Sequence, residues 1–111
     1  MEFNQHKQGA VVVIKPSGPL TQGDSEVFVN RFQAAIRSSM GKCVLDASDI
    51  SYVDSAGIEA MLDLSDGMAD VGQTLKISHV NETIRETFEL TKIAASFEYF
   101  DDINAAVRSF L

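Results

Sequence analysis

Between Lys42 and Ser78 the chain passes from a short apolar run to a polar stretch, then to an apolar-periodic segment, then to another short run. That order restricts the fold more than any other feature. Lys42-Cys43-Val44-Leu45-Asp46 reads as a strand, and Ala47-Ser48-Asp49-Ile50-Ser51 as a polar connection. From Ser55 onward, Ile58, Met61, Leu62, Ser65, Met68 and Ala69 recur on one helical face, and the pattern ends near Gly72. Thr74-Leu75-Lys76-Ile77-Ser78 then alternates as a strand whose apolar side covers a core. Strand, helix and strand in succession commit the chain to an α/β architecture.

The flanking segments extend the pattern. Gln8-Gly9 turns a first strand, Glu2 to Lys7, into the β-branched run Ala10 to Lys15, which Pro16-Ser17-Gly18-Pro19 interrupts. A helix is predicted from Gly23 or Asp24 to Ser39, with Val27, Phe28, Phe32, Ala35 and Ile36 facing inward. Asp24 or Ser25 would be its N-cap and Gly41 its stop. Asn81 reads as the N-cap of a helix from Glu82 to Thr91, with Ile84, Phe88 and Ile93 turned inward. Phe97-Glu98-Tyr99-Phe100 forms a last strand, and Asp101 begins a final helix through Val107 and Phe110. The order β-β-α-β-α-β-α-β-α gives about five strands and four helices on a mixed sheet, in one domain over residues 1–111. Met61, Met68, Phe3, Phe28, Phe32, Phe88 and Phe97 are assigned to the core, while Leu64 and Val71 fall off the main face of the Ser55 helix.

Totals narrow the function classes. Nine basic against sixteen acidic residues leave a net charge of −7, which opposes contact with nucleic-acid backbones or anionic membranes and leaves room for a basic protein partner. No apolar run approaches the twenty residues of a membrane span, and the N-terminus lacks a secretory layout. The single cysteine, Cys43, lies in a strand-like run and is expected to be buried; a cytoplasmic location follows as an expectation. No metal site, phosphate-binding glycine loop or cofactor is expected.

Chemistry concentrates at Val53-Asp54-Ser55-Ala56-Gly57-Ile58, where a strand hands over to a helix at its carboxyl end. A nucleophile elbow would need a small residue where Val53 stands, and neither His6 nor His79 comes with an evident acid partner. A phospho-acceptor aspartate at Asp46 would need an acidic pair after Ile14, where the chain reads Lys15-Pro16-Ser17. A hydroxyl in the first helical turn can instead be phosphorylated by another protein, adding about −1.5 to −2 charges that would disturb an interface while the helix dipole accommodates them. A plain N-cap, serine or aspartate, accounts for the same residues.

Taken together, these residues resemble the STAS family, the sulfate-transporter and anti-sigma-factor-antagonist domains, over nearly the whole chain. Gly18-Pro19-Leu20 is similar to the family's Gly-x-Leu, and Val44-Leu45-Asp46 followed by Tyr52-Val53-Asp54-Ser55-Ala56-Gly57 resembles its signature. Phe97 to Phe100 followed by Ile103 to Val107 is similar to its terminal unit. The resemblance implies a bacterial regulator rather than an enzyme: an anti-sigma factor antagonist in a partner-switching pathway. It would bind a small ATP-binding serine kinase that is also an anti-sigma factor, be released when that kinase phosphorylates Ser55, and be restored by a serine phosphatase. Thr21, Asp54, Ser55, Gly57, Ile58, Glu59 and Leu62 would face or flank the partner, and the free protein would be a monomer. Thr21 stands where many antagonists carry Asp. Ala56 and Glu59 likewise replace a second Ser or Thr and a small residue, which points to a dedicated kinase. The alternative is a non-switching STAS subunit of a transport or sensor complex.

Overall fold

The computed structural model describes all 111 residues. β1 (Glu2–Gln8) and β2 (Val11–Ser17) pair antiparallel across a turn at Gly9-Ala10, with register running from Glu2↔Ser17 to Gln8↔Val11. The strand therefore runs through Pro16 instead of breaking there. The Val12 N–H donates toward the β3 side, to the Lys42 carbonyl at 2.9 Å. By alternation the missing N–H of Pro16 falls on that same side, beyond the last β2–β3 pair, Ile14↔Leu45, so no ladder bond is lost.

β3 (Cys43–Asp46), β4 (Leu75–Ser78) and β5 (Phe97–Phe100) add in parallel, giving the order β1-β2-β3-β4-β5. The helices are α1 (Gln22–Ser39), α2 (Ser55–Asp70), α3 (Glu82–Leu90) and α4 (Ile103–Arg108), with a 3-10 turn over Ala94–Ser96. Each of the three crossovers steps the same way along the sheet. Right-handed connections of that kind place all three helices on one face. Burial agrees: Ile14, Leu45, Ile77 and Phe97 share one core with Phe28 and Phe32 of α1, Met61 and Leu64 of α2, and Ile84 and Phe88 of α3. On the other face Val11, Val13 and Val44 pack under Ala106 of α4. The strand order never reverses, so the sheet has no crevice at a switch point, and its carboxyl edge offers surface.

Several local expectations are corrected. α1 has Thr21 in the N-cap position, not Asp24 or Ser25: the Asp54 carboxylate accepts from the Gln22 N–H at 3.1 Å, and Asp24, inside the first turn, pairs with the Met1 amine at 3.1 Å. α1 ends at Ser39 with left-handed Met40 as C-cap, and Gly41 stops it as expected, at positive φ with its N–H returning to the Ile36 carbonyl at 2.9 Å. Val27 is exposed, about 100° around the helix from Phe28 and so off the face that buries Phe28, Phe32 and Ala35. Leu64 is fully buried, whereas Ala69 is exposed. α2 packs on α1 as well as on the sheet, which rotates its buried face toward Gly57, Ala60 and Leu64. β4 is buried on both sides: the Lys76 ammonium lies 4.7 Å from the Phe110 ring centre and 3.3 Å from Glu98 Oε1 beneath α4.

Candidate functional site

Two helices begin at the same place. Leu20 and Val53 form a parallel bridge, with the Leu20 N–H donating to the Tyr52 carbonyl at 3.0 Å and the Asp54 N–H donating to the Leu20 carbonyl at 3.2 Å. This pairing sets the first turns of α1 and α2 side by side. Helix N-termini leave N–H groups without partners and carry the positive end of the dipole. Asp54 serves both: its Oδ1 accepts from the Gly57 N–H at 2.8 Å and its Oδ2 from the Gln22 N–H at 3.1 Å. One carboxylate thus caps α2 and ties down α1.

Gly57 is what permits the approach. A Cβ there would collide with the Leu20 carbonyl oxygen and stand 3.2 Å from both Leu20 Cγ and Val53 Cβ. The Leu20 backbone runs directly over the helix start, and only glycine leaves it room.

With Asp54 doing the capping, Ser55 is the first helical residue and is exposed. Thr21 is half-buried in extended backbone, and its side chain makes no capping bond. Gly57 is buried; Ile58 and Leu62 are half-buried and pack against the main core; Glu59 is exposed. Glu59 and Ala56 line a groove of about 270 Å³ between α1 and α2, with Glu26, Val29, Asn30 and Asp63. The acidic groove was invisible in the sequence, because its two walls are some thirty residues apart.

The loop that delivers Ser55 is held from below. Buried Asp46 accepts from the Ser48 N–H at 3.0 Å and lies 3.6 Å from His79 Nδ1. Asn81 caps α3 through the Ile84 N–H at 2.8 Å, as its sequence position suggests. It also donates to the carbonyls of Ile50 and Ser51, both at 3.1 Å. Asp46, Asp49 and Asp54 do not converge: Asp49 pairs with Lys15 at 3.4 Å, and Asp54 is committed to backbone donors. No group of three or more potential ligands is placed to hold a metal ion. His6 contacts Gln8, and exposed His79 engages Asp46. Burial pushes the Cys43 thiol up to about 12, with a smaller opposing pull from Ser39. No helix is long and apolar enough to cross a membrane.

No curated protein sequence matches the chain. Among solved structures it is similar to a Thermotoga maritima protein assigned to the anti-sigma factor antagonists, with 18% identity and a TM-score of 0.87 over 96% of this chain and 92% of that one. It is also similar to the anti-sigma factor antagonist SpoIIAA in its unphosphorylated form, with 17% identity and a TM-score of 0.73 over 98% and 96%. A sulfate transporter family protein from Wolinella succinogenes shares 15% identity and a TM-score of 0.78 over 94% and 87%. These likenesses establish a common fold. The STAS domain model matches residues 2–106, and the chain belongs to the STAS domain family.

Proposed function

We propose that this protein is a cytoplasmic anti-sigma factor antagonist-like regulator, a binding module whose partner is a serine kinase acting as anti-sigma factor. The observation that carries the reading is the exposed Ser55 hydroxyl at the shared start of α1 and α2, with Asp54 doing the capping beside it. Unphosphorylated, the Ser55 end binds the kinase through Thr21, Asp54, Ile58, Glu59 and Leu62, while Gly57 keeps the helix start against Leu20. Phosphorylation adds about −1.5 to −2 charges beside the Asp54 carboxylate. The two helix N-termini offset part of that charge within the domain. A partner packed against a neutral hydroxyl has no such compensation and is released, and a serine phosphatase restores binding.

The likeness to a sulfate transporter family protein favours a second reading, a non-switching STAS subunit of a transport or sensor complex. The two separate on one experiment: calorimetric titration of wild type, Ser55→Asp and Ser55→Ala against the small ATP-binding serine kinases of the same organism. The switch requires that Ser55→Asp weaken binding at least tenfold with stability kept within about 1 kcal/mol of wild type, and that Ser55→Ala bind but resist phosphorylation by ATP and kinase. Equal binding by all three proteins would sink it.

A further inference from the structure

Two separate grooves lie along the α1–α2 seam, the first of them beside Ser55. Past Asn30 and Asp63 the second, of about 290 Å³, is lined by Gln33, Ile36 and Arg37 of α1, by Gly67 and Asp70 of α2 and by its C-cap Val71. The lining positions of the two grooves follow one another at intervals of three or four on both helices, so the two lie in line along the α1–α2 seam. Its length is that of α2, 16 residues, or about 24 Å at 1.5 Å per residue. Ala60 and Ile36 are buried beneath the seam, and the apolar surface it offers comes from half-buried Val29, Ala56 and Gly67 and from exposed Val71.

The outer wall carries an unusual charge pattern. Glu59, Asp63, Asp66 and Asp70 are all exposed and fall on one stripe of α2, at spacings of four, three and four. The helix contains no Lys, Arg or His. None of the four carboxylates is in an ion pair within the chain, whose ion pairs lie elsewhere. Like charges at these spacings repel and weaken a helix. Asp66 and Asp70 also sit in the last turns, where the dipole favours cations and no basic residue is present. Arg37 is the one cation lining the two grooves. The face therefore carries like charge that no ion pair inside the domain neutralises, and the carboxylates do not gather into a metal site. A second copy of this acidic chain would add to that charge.

We infer that the α1–α2 seam docks a basic amphipathic helix of the partner protein, its apolar side on Val29, Ala56, Gly67 and Val71 and its Lys or Arg residues on the Glu59–Asp70 stripe. The inference rests on the partner-binding role of the Ser55 end and extends it: Ser55 sits at one end of a long seam, so a short-range phosphate acts on one end of an interface held elsewhere by charge. Helix-in-groove recognition of this kind reads anchors at i, i+3 or i+4 and i+7, the spacing of the stripe.

The test uses the 15N-labelled full chain and two synthetic 16-residue helical peptides, alike in a leucine face but carrying Lys on the other face in one and Glu in the second. The Lys peptide is expected to shift amides along residues 26–37 and 56–71, with affinity falling as salt rises. The Glu peptide is expected to shift none. The variant Glu59→Gln/Asp63→Asn/Asp66→Asn/Asp70→Asn is expected to bind the Lys peptide at least tenfold more weakly while melting no lower than wild type, because it removes repulsion. Equal binding of both peptides, shifts centred on α4, dimerisation of the wild type through this face, or displacement of the same amides by Mg²⁺ alone would each overturn the inference. The peptide comparison on wild type needs no variant. If the peptide fails but Ser55→Asp still weakens kinase binding, this inference falls alone; if the peptide docks while kinase binding ignores Ser55, the switch reading falls alone.

Discussion

Replacing Gly57 and Gly67 by alanine, one at a time, makes the same chemical change in the same helix and should give opposite signs. In a helix interior, alanine is favoured over glycine by roughly 1 kcal/mol. At Gly67 the new Cβ would lie 3.6 Å from Ile36 Cδ1, an ordinary contact, so the full propensity gain should be realised. At Gly57 the new Cβ collides with the Leu20 carbonyl oxygen, a backbone atom that cannot rotate away. Overpacking costs about 1–3 kcal/mol, and a backbone obstacle argues for the upper end. Moving that carbonyl also disturbs the bond it accepts from the Asp54 N–H at 3.2 Å, about 1 kcal/mol more. Gly57→Ala should therefore lose about 3 kcal/mol net, while Gly67→Ala should gain about 0.5–1 kcal/mol. For a domain of this size 1 kcal/mol moves the melting temperature by about 4 °C. Thermal unfolding followed by circular dichroism should then place the two variants about 15 °C apart, on either side of wild type. A Gly57→Ala protein that melts within about 2 °C of wild type, or above Gly67→Ala, would show that the close approach of Leu20 is not what requires glycine.

Two further outcomes follow from the geometry. Asp54→Ala removes the acceptor of two helix N-termini and should cost about 2 kcal/mol in urea unfolding, twice an ordinary cap, with Asp54→Asn recovering about half; a loss of no more than about 1 kcal/mol would mean that the bond to Gln22 contributes nothing. Cys43 supplies an alkaline signature: its thiol titrates near 9.0 when unfolded and about 12 when folded. Its contribution is complete below pH 9 and is lost as pH rises toward 12, at about 1.4 kcal/mol per pH unit, because only the unfolded chain releases the proton. Subtracting the pH profile of Cys43→Ala isolates this slope from that of Tyr99, which burial also raises; identical slopes in the two proteins would contradict a protected thiol.

The sequence by itself determined which elements form and in what order. Periods of two and of about 3.6 residues are local properties, written in Val44-Leu45, in Ile84 and Phe88, and in the helical spacing that begins at Ser55. Asn81 was legible as a cap because its acceptor and the Ile84 N–H are three residues apart. The Ser55 junction was legible for the same reason, since strand, cap and first turn are contiguous. Only the tertiary structure decided what crosses the chain. Asp54 meets Gln22 across 32 residues, and Asn81 meets Ile50 across 31. The buried face of α2 turned toward Leu64 because α1 lies alongside it, and Lys76 went under α4 because the sheet is covered on both sides. The carbonyl that makes glycine necessary at position 57 belongs to Leu20, on a distant segment of the chain. Periodicity fixes what an element is, because it is repeated in every turn. Which neighbour an element meets depends on the path of the whole chain, and the acidic groove beside Ser55 exists only once two distant helices are laid together.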